Sequence, residues 1–507
     1  MATADVTGPA DRNSSASNPA DVPHGPARRV DGGLDSAVAL RTALRAGETS
    51  SVELVQRCLD RIEEKNPQLH SFVALDPEGA LERAAEADRV LESARTRGTL
   101  EDVPVLTGLP TAFKDLVEVQ GFVTTYGTAA VPHVVSPKDA PIAARLRSSG
   151  ANLIGKTAVP EFGLSTYSEN LIHPAARNPL DPATSPGGSS GGAAAAVASG
   201  MLPLSPGNDG GGSVRIPASA CGLVGLKTGL GTLPEDVLGP DGSTHTTDRW
   251  GAPRLATTGP LGRSAADAAL LLDGLRYDAD APSGTPALDA VQHSLDGGDA
   301  FVGLEVGVTT AGPFDEWIHP ELSPEARAAF DRGVRLVAEL GAHVEESDWV
   351  PDRGYPDAFR AVWTAGLAEA TVTDEAVAKM GALARAFRYE ATHRGGDAQR
   401  AAATELTRIA AGFREAWGRY DVLLTPAMSQ TPRPIGYYFE GDAENDYELQ
   451  CHYTPYTSMV NVSGLPAVTV PVWWTPDGFS MSVQMIGRRG AEVQLLSLAA
   501  VLQRAAS

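Results

Sequence analysis

The chain is short of sulfur, of basic charge and of long apolar runs. Its three cysteines, Cys58, Cys221 and Cys451, are far apart, odd in number and without paired ligand spacing. They argue against a disulfide framework and a zinc site, and for a reducing compartment. Lysine and arginine total 41 against 63 acidic residues, a formal net charge of −22. Such a field repels phosphate backbones and anionic headgroups, so neither nucleic acid nor a membrane surface is an expected partner. No apolar run approaches the roughly 20 residues of a membrane-spanning helix, and a soluble protein is expected. Residues 1–33 lack an apolar segment, and none follows Arg28-Arg29, so no export signal is read there. A disordered extension over 1–33 and a cytoplasmic location are the expectations.

What is present is an ordinary globular composition, 42% hydrophobic and 21% charged over 507 residues. From Leu34 to Leu75 apolar residues recur at three- and four-residue spacing, with Gly47 stopping one helix and Thr49-Ser50-Ser51 starting another. Further helical patterns run through "GALERAAEADRVLESARTRG", "SAADAALLLDGL", "SPEARAAFDRGVRLVAELG" and residues 356–420. Short apolar runs bounded by Gly and Pro read as strands in "PVLTGLPTAFKDLVEVQG", "ANLIGKTAVPEFG", "FVGLEVGVTT", "YDVLLTP", "PAVTVPVWW" and "FSMSVQMIG". The alternation predicts an α/β fold. No linker splits the body, so residues 34–507 are read as one catalytic domain.

Two glycine-serine loops carry the chemistry: "SPGGSSGG" at 185–192 and "NDGGGSVR" at 208–215. The first could be a flexible linker, but the strong helix former "AAAAVASG" follows it directly, placing its serines at a helix N-terminus. It also satisfies G-x-S-x-G, the nucleophile elbow. That motif needs a strand running into the turn, and "AARNPLDPATSP" is too rich in proline to be one. The histidines downstream, His245, His293, His319, His343, His393 and His452, occupy no distinctive context. A third reading uses both loops. Three glycines before Ser213 let several backbone N–H groups converge on one point, an oxyanion hole beside a serine hydroxyl. The serine then needs a base, and a lysine kept neutral by burial can serve. The chain has six lysines, Lys65, Lys114, Lys138, Lys156, Lys227 and Lys379. Lys114 in "LPTAFKDL" and Lys156 in "LIGKTAVPE" both lie in apolar stretches, and the residues alone do not separate them. A salt bridge to Asp115 is the ordinary alternative for Lys114.

Taken together, "FKD", "SPGGSSGG", "GNDGGGSVRIPASACGLVGLK", "GPLGRSAADAALLLDGL", "DVLLTPA", "SGLPAVTVP" and "VQMIGRRGAEVQLLSLA" resemble the amidase signature family from about residue 34 to the end. The resemblance implies a large mixed, twisted β-sheet covered by helices on both faces. It also implies a Ser-Ser-Lys triad with Ser213 as nucleophile, Ser189 as a bridging serine on a cis peptide bond, and Lys114 as base. Gly210, Gly211, Gly212 and Ser213 match the family's oxyanion-hole amides; Ser190, Asp209 and Arg215 match supporting positions, with Arg215 bracing the loop rather than touching substrate. The implied reaction is hydrolysis of a carbon–nitrogen bond through an acyl-enzyme, with water and without metal or organic cofactor.

Two departures stand out. Lys227 is followed by Thr228-Gly229-Leu230 where the family usually has Pro-Thr, and Gly210 occupies a slot often held by threonine, which loosens the loop unless neighbours pack on it. The segment "LQCHYTPYTSMVNVSGLPA" is similar to the substrate-closing region of bacterial hydrolases of nylon-type and other secondary amides. Cys451, Tyr453, Tyr456, Met459 and Asn461 are therefore expected to line the pocket, with Gly163 and Leu164 on another wall. Small-molecule secondary amides such as aminohexanoate oligomers, aryl amides or carbamates are the expected substrates. The alternative is the ammonia-releasing component of a glutamine-dependent aminoacyl-tRNA amidotransferase. Family precedent implies a homodimer as a plausible assembly.

Overall fold

The structure, a computed structural model, describes Gly25 and residues 34–239, 242–370, 372–439 and 441–507. The extension expected over residues 1–33 lies outside the described residues except for Gly25, whose N–H donates to the Trp474 carbonyl at 2.7 Å.

The first two helices form where the capping residues predict. Ser36 caps Ala37–Ala46, which ends at Gly47 in the left-handed conformation (φ 78°), and Ser50 with Glu53 forms a capping box on Ser51–Leu69. The helical spacing read on to Leu75 stops early. His70 closes the helix with a left-handed φ of 49°, and strand β1 (Phe72–Leu75) follows. A partner remote in sequence makes the difference: β1 pairs antiparallel with β3 (Asn152–Thr157), which pairs parallel with β2 (Pro110–Lys114).

The larger sheet has eight strands, β4 (Leu204–Asp209), β5 (Val224–Lys227), β6 (Thr257–Gly262), β7 (Glu305–Val308), β8 (His343–Glu346), β9 (Val422–Pro426), β10 (Ala467–Trp474) and β11 (Ser480–Gly487). Their spatial order is β4-β6-β5-β10-β11-β9-β7-β8. The pairs β7/β8 and β7/β9 are parallel and the others antiparallel, so the sheet is mixed. Alternate residues face two cores. Val468, Val470, Val472, Val483, Met485, Val422 and Leu424 join one apolar cluster, whereas Ala467, Ile486 and Leu423 join another. Helices Ala265–Leu275, Pro324–Glu339 and Glu492–Ala506 contribute to the first cluster; Tyr355–Thr364, Gly396–Trp417 and Ser458–Ser463 contribute to the second. Both faces are covered, and this two-sided burial is why β9 and β10 read as nearly continuous apolar runs. Leu34, Ala37, Leu40 and Leu44 belong to the first cluster, so the body is packed together from its first described helix.

Strand β4, which ends at Asp209, and its neighbours β6 and β5 have no strand signal in sequence. Pro206 faces Pro260 across the β4/β6 pair, with β4 at the sheet edge, where a missing N–H is tolerated. A Cβ at Gly259 would stand 1.9 Å from the Leu226 carbonyl oxygen, so close strand approach requires glycine there. The small sheet is fastened to β4 by side chains: Thr111 Oγ1 donates to the Leu204 carbonyl (3.2 Å) and Ser205 Oγ to that of Ala112 (2.9 Å). These bonds set the end of β2 beside the end of β4.

Candidate active site

Lys114 is the last residue of β2, a strand whose five residues are all buried. Its Nζ donates to Ser189 Oγ (3.1 Å), Ser190 Oγ (3.3 Å) and the Asn208 carbonyl (2.8 Å). No carboxylate forms an ion pair with it among the described residues. Burial lowers its pKa to about 7 against the opposing pull of Asp209, so near neutral pH a substantial share of the amine is neutral and able to accept a proton. Asp115, the neighbour in sequence, turns instead to Lys156 on β3. Their ion pair is 2.9 Å long and almost wholly buried, and Asp115 also accepts from the Thr125 backbone N–H and hydroxyl. The two apolar-stretch lysines are thereby separated: one is paired to a carboxylate, the other faces two serines.

The peptide bond between Gly188 and Ser189 is cis. The helix Gly191–Ala198 begins after Ser190, as its sequence predicts, but the Ser190 hydroxyl does not cap it. That hydroxyl faces Lys114 instead, and Ser168 braces the loop: its Oγ accepts from the Gly191 N–H (3.1 Å) and donates to the Gly187 carbonyl (3.0 Å). Ser168 was not legible in sequence, because it reaches the loop from a separate irregular segment.

Asp209 ends β4 and organises the second loop. It receives the N–H groups of Gly212 (2.8 Å) and Val214 (3.1 Å), two guanidinium bonds from Arg215 (2.8 and 2.9 Å) and the Asn461 amide (2.9 Å). Burial alone would raise its pKa, but the Arg215 charge holds the carboxyl well below the ordinary range. Arg215 is fully buried and spends its remaining donors on the Thr457 carbonyl, Gln484 and Asn461. It braces the loop and does not line the cavity.

The glycine run divides into two kinds of amide. The Gly212 N–H is committed to Asp209, so Gly212 departs from the expected set of free oxyanion donors. Its left-handed φ of 125° and a Cβ site 2.4 Å from Thr457 Oγ1 show that it serves the path of the chain. Among the described residues no hydrogen bond occupies the N–H groups of Gly210, Gly211 or Ser213, nor the Ser213 hydroxyl. Gly210 is not loose: Trp363 packs on it, 3.0 Å from where a Cβ would stand, and Thr457 Oγ1 holds the Gly211 carbonyl at 2.6 Å.

Ser213 stands where two cavities meet. One, about 840 Å³ with its open mouth, is lined by Lys114, Ser189, Gly210, Ser213, Trp363 and Leu367, among others. The other, about 450 Å³ including its opening to solvent, has Ser213, Gly211, Phe314, Phe359, Trp363 and Tyr447 in its wall. Of the expected pocket residues, Gly163 lines the first, Leu164 both, and Cys451 the second. Tyr453, Tyr456, Met459 and Asn461 line neither, which corrects the expectation for them. Tyr453 packs in a cluster with Tyr167 and Tyr438, Tyr456 and Met459 sit in the second core, and Asn461 ties Asp209 to Arg215 and the Leu255 carbonyl. In the short helix Ser458–Ser463 only Ser458 turns to the cavity. Phe314, Phe359, Trp363 and Tyr447 went unrecognised: Phe359 and Trp363 lie at helical spacing, where apolar residues read as core, and Phe314 and Tyr447 stand outside the quoted motifs.

No histidine lines either cavity, and the segment before Ser189 forms only isolated bridges, Asn178 to Asp181 and Thr184 to Pro434, among the described residues. The elbow arrangement is therefore not built here. No three His, Cys, Asp or Glu side chains converge as a metal site among the described residues. No described helix is long and apolar enough to cross a membrane.

The family model described as Amidase matches residues 53–496. The chain is 34% identical to the protein AmiB2 of Mycobacterium tuberculosis (strain ATCC 25618 / H37Rv), over 92% of this chain and 96% of that one. It is 33% identical to the A component of the glutamyl-tRNA(Gln) amidotransferase of Azoarcus sp. (strain BH72), over 93% and 97%. In three dimensions it is similar to 6-aminohexanoate cyclic dimer hydrolase complexed with substrate, with a TM-score of 0.76, 26% identity, and coverage of 93% and 97%.

Proposed function

The chain belongs to the amidase signature family of amide hydrolases, and from that premise we propose that Ser213 is its nucleophile, Ser189 the bridging hydroxyl and Lys114 the base. The observation that carries this reading is the Lys114 amine: buried, free of any carboxylate partner among the described residues, and bonded to Ser189. The catalytic unit is residues 34–507.

In the proposed reaction Ser213 Oγ attacks the amide carbonyl while its proton passes to Ser189, whose own proton passes to Lys114. The carbonyl oxygen, now an oxyanion, accepts from the unoccupied N–H groups of Gly210, Gly211 and Ser213. The C–N bond breaks as the proton returns through Ser189 to the departing nitrogen, leaving an ester on Ser213. Water then attacks the ester, its proton passing through Ser189 to Lys114, and the bond between Ser213 Oγ and the acyl carbon breaks as that proton returns to Oγ and the acid departs. The likeness to 6-aminohexanoate cyclic dimer hydrolase supports small-molecule secondary amides as substrates, with aminohexanoate oligomers, aryl amides and carbamates as the first to try.

A second reading, the glutaminase component of a tRNA-dependent amidotransferase, is favoured by the likeness to the Azoarcus protein. One panel separates them: a 4-nitroanilide, cyclic and linear aminohexanoate dimers, an aryl carbamate and glutamine, with Ser213→Ala as blank. Serine-dependent turnover of secondary amides supports the stand-alone hydrolase. Ammonia from glutamine alone supports the second reading, and full activity of Ser213→Ala overturns the nucleophile.

A further inference from the structure

We infer that the two lobes divide the substrate at the scissile bond, with the departing amine on the Lys114 side and an uncharged aryl or aralkyl acyl group in the lobe of Phe314, Phe359, Trp363 and Tyr447. The inference rests on the assignment of Ser213, Ser189 and Lys114 above.

The first half follows from the path of the proton. The proton that leaves Ser213 must reappear on the departing nitrogen, and Ser189 delivers it, so that nitrogen lies within hydrogen-bond reach of Ser189 Oγ. Ser189 and Lys114 line only the larger, more open cavity, together with Leu116, Leu367 and Ala370. The amine therefore leaves on that side. The acyl carbon is bonded to Ser213, at the junction, and its substituent has the other lobe left to it.

The second half follows from what lines that lobe. None of its residues is Asp, Glu, Lys, Arg or His. Its rings brace one another: Phe359 stacks on Trp363 (centroids 5.9 Å, 17°) and meets Phe314 edge-on (6.4 Å, 75°). Its polar atoms are uncharged; the Thr166 and Tyr447 hydroxyls have no hydrogen-bond partner among the described residues, and others are engaged. Gln450 accepts from the Thr166 N–H (2.9 Å) and donates to Asp446 (2.8 Å), Ser458 accepts from the Tyr355 hydroxyl (2.8 Å), and Thr454 donates to the Gln450 carbonyl (3.1 Å). An ammonium or carboxylate placed there loses its water and gains no counter-ion, whereas a flat apolar group gains ring contacts. Linear aminohexanoate oligomers, with an ammonium on the acyl side, and glutamine, with two charges there, both fit poorly. A cyclic oligomer or an arylacyl amide carries no such charge.

The test uses two substrate series with the full-length protein. With 4-nitroaniline as the fixed amine, kcat/KM for phenylacetyl should exceed that for 6-aminohexanoyl and γ-glutamyl by at least about a hundredfold, the scale set by an uncompensated charge in a dry pocket. Phe359→Leu should compress that ratio, and Leu367→Ala should instead alter discrimination among amines at fixed phenylacetyl. Equal rates for charged and aromatic acyl groups, or the reverse pattern of variant effects, overturn the inference. Turnover that survives in Ser213→Ala overturns the underlying nucleophile assignment, a distinguishable result. A measurement independent of turnover is sulfonylation of Ser213, which forms an O–S bond and expels fluoride. Phenylmethanesulfonyl fluoride should label it faster than methanesulfonyl fluoride by intact mass, with the preference reduced in Phe359→Leu. Equal labelling rates also overturn the inference.

Discussion

The Lys114 amine donates to the Ser189 hydroxyl at 3.1 Å while the carboxylate next to it in sequence, Asp115, pairs with Lys156 at 2.9 Å. Two buried lysines on adjacent strands thus have opposite electrostatic settings. Each setting has a measurable consequence.

The first concerns pH. A base acts in its deprotonated form, and burial brings Lys114 from an ordinary value of 10.5 to about 7. As pH rises through about 7 the neutral fraction grows, so kcat/KM should climb between about pH 6 and 8 and level off above. A profile that is flat across this range, measured on a neutral amide, contradicts the role of Lys114.

The second concerns the proposed triad. Ser213→Ala is expected to remove activity by about 10⁴–10⁶-fold, as for loss of a nucleophile in other serine hydrolases. Ser189→Ala and Lys114→Met should each cost about 10²–10⁴-fold, the range of general acid–base catalysis. Steady-state rates on one amide, with far-UV circular dichroism as a fold control, check both.

A third compares the lysines by stability. Lys156→Met leaves the Asp115 carboxylate buried and unpaired, an expected loss of about 3–5 kcal/mol. Lys114→Met strands no charge and should lose far less stability than activity. Denaturant melts of the two variants should therefore rank opposite to their residual activities if Lys156→Met is assayed while still folded.

The loop scaffold gives a fourth. Asp209→Asn removes the counter-ion of a fully buried guanidinium and weakens bonds to Gly212 and Val214. It should destabilise the protein by about 3–5 kcal/mol. Thermal unfolding measures this, and a variant as stable as the parent contradicts the bracing role of the pair.

Gly212 supplies the last. A Cβ there meets Thr457 Oγ1 at 2.4 Å and the backbone is left-handed. Gly212→Ala should displace the free amides on either side, with a loss of about 10²–10³-fold in kcat, the cost of a missing oxyanion donor. A Gly212→Ala enzyme with parental kcat contradicts the strain.

Much of the candidate site was legible because its residues are contiguous in sequence or scarce in the chain. Ser189, Ser213 and the glycines stand in two loops, and only six lysines compete for the role of base. The cavity walls were harder. Trp363 and Phe359 sit on the amphipathic helix Tyr355–Thr364, whose spacing is that of any core-facing helix, yet both line a cavity. Met459 and Asn461 are polar or flexible enough to suit a pocket but point into the core and the Asp209–Arg215 network. A helical residue's direction depends on which face its neighbours cover, and those neighbours come from elsewhere in the chain.

By itself the sequence determined the helices with their caps, the apolar strands of the central sheet, and the two loops whose glycines permit convergent amides. These depend on local conformational preference and periodicity, which adjacent residues carry. The tertiary structure alone decided which lysine is paired and which is not, that Gly212 is committed to Asp209, that proline- and glycine-rich β4 and β6 are strands at all, and how two cavities meet at Ser213. Each of these depends on desolvation or on a partner brought from elsewhere along the chain, and such energies exist only once folding has set the groups together.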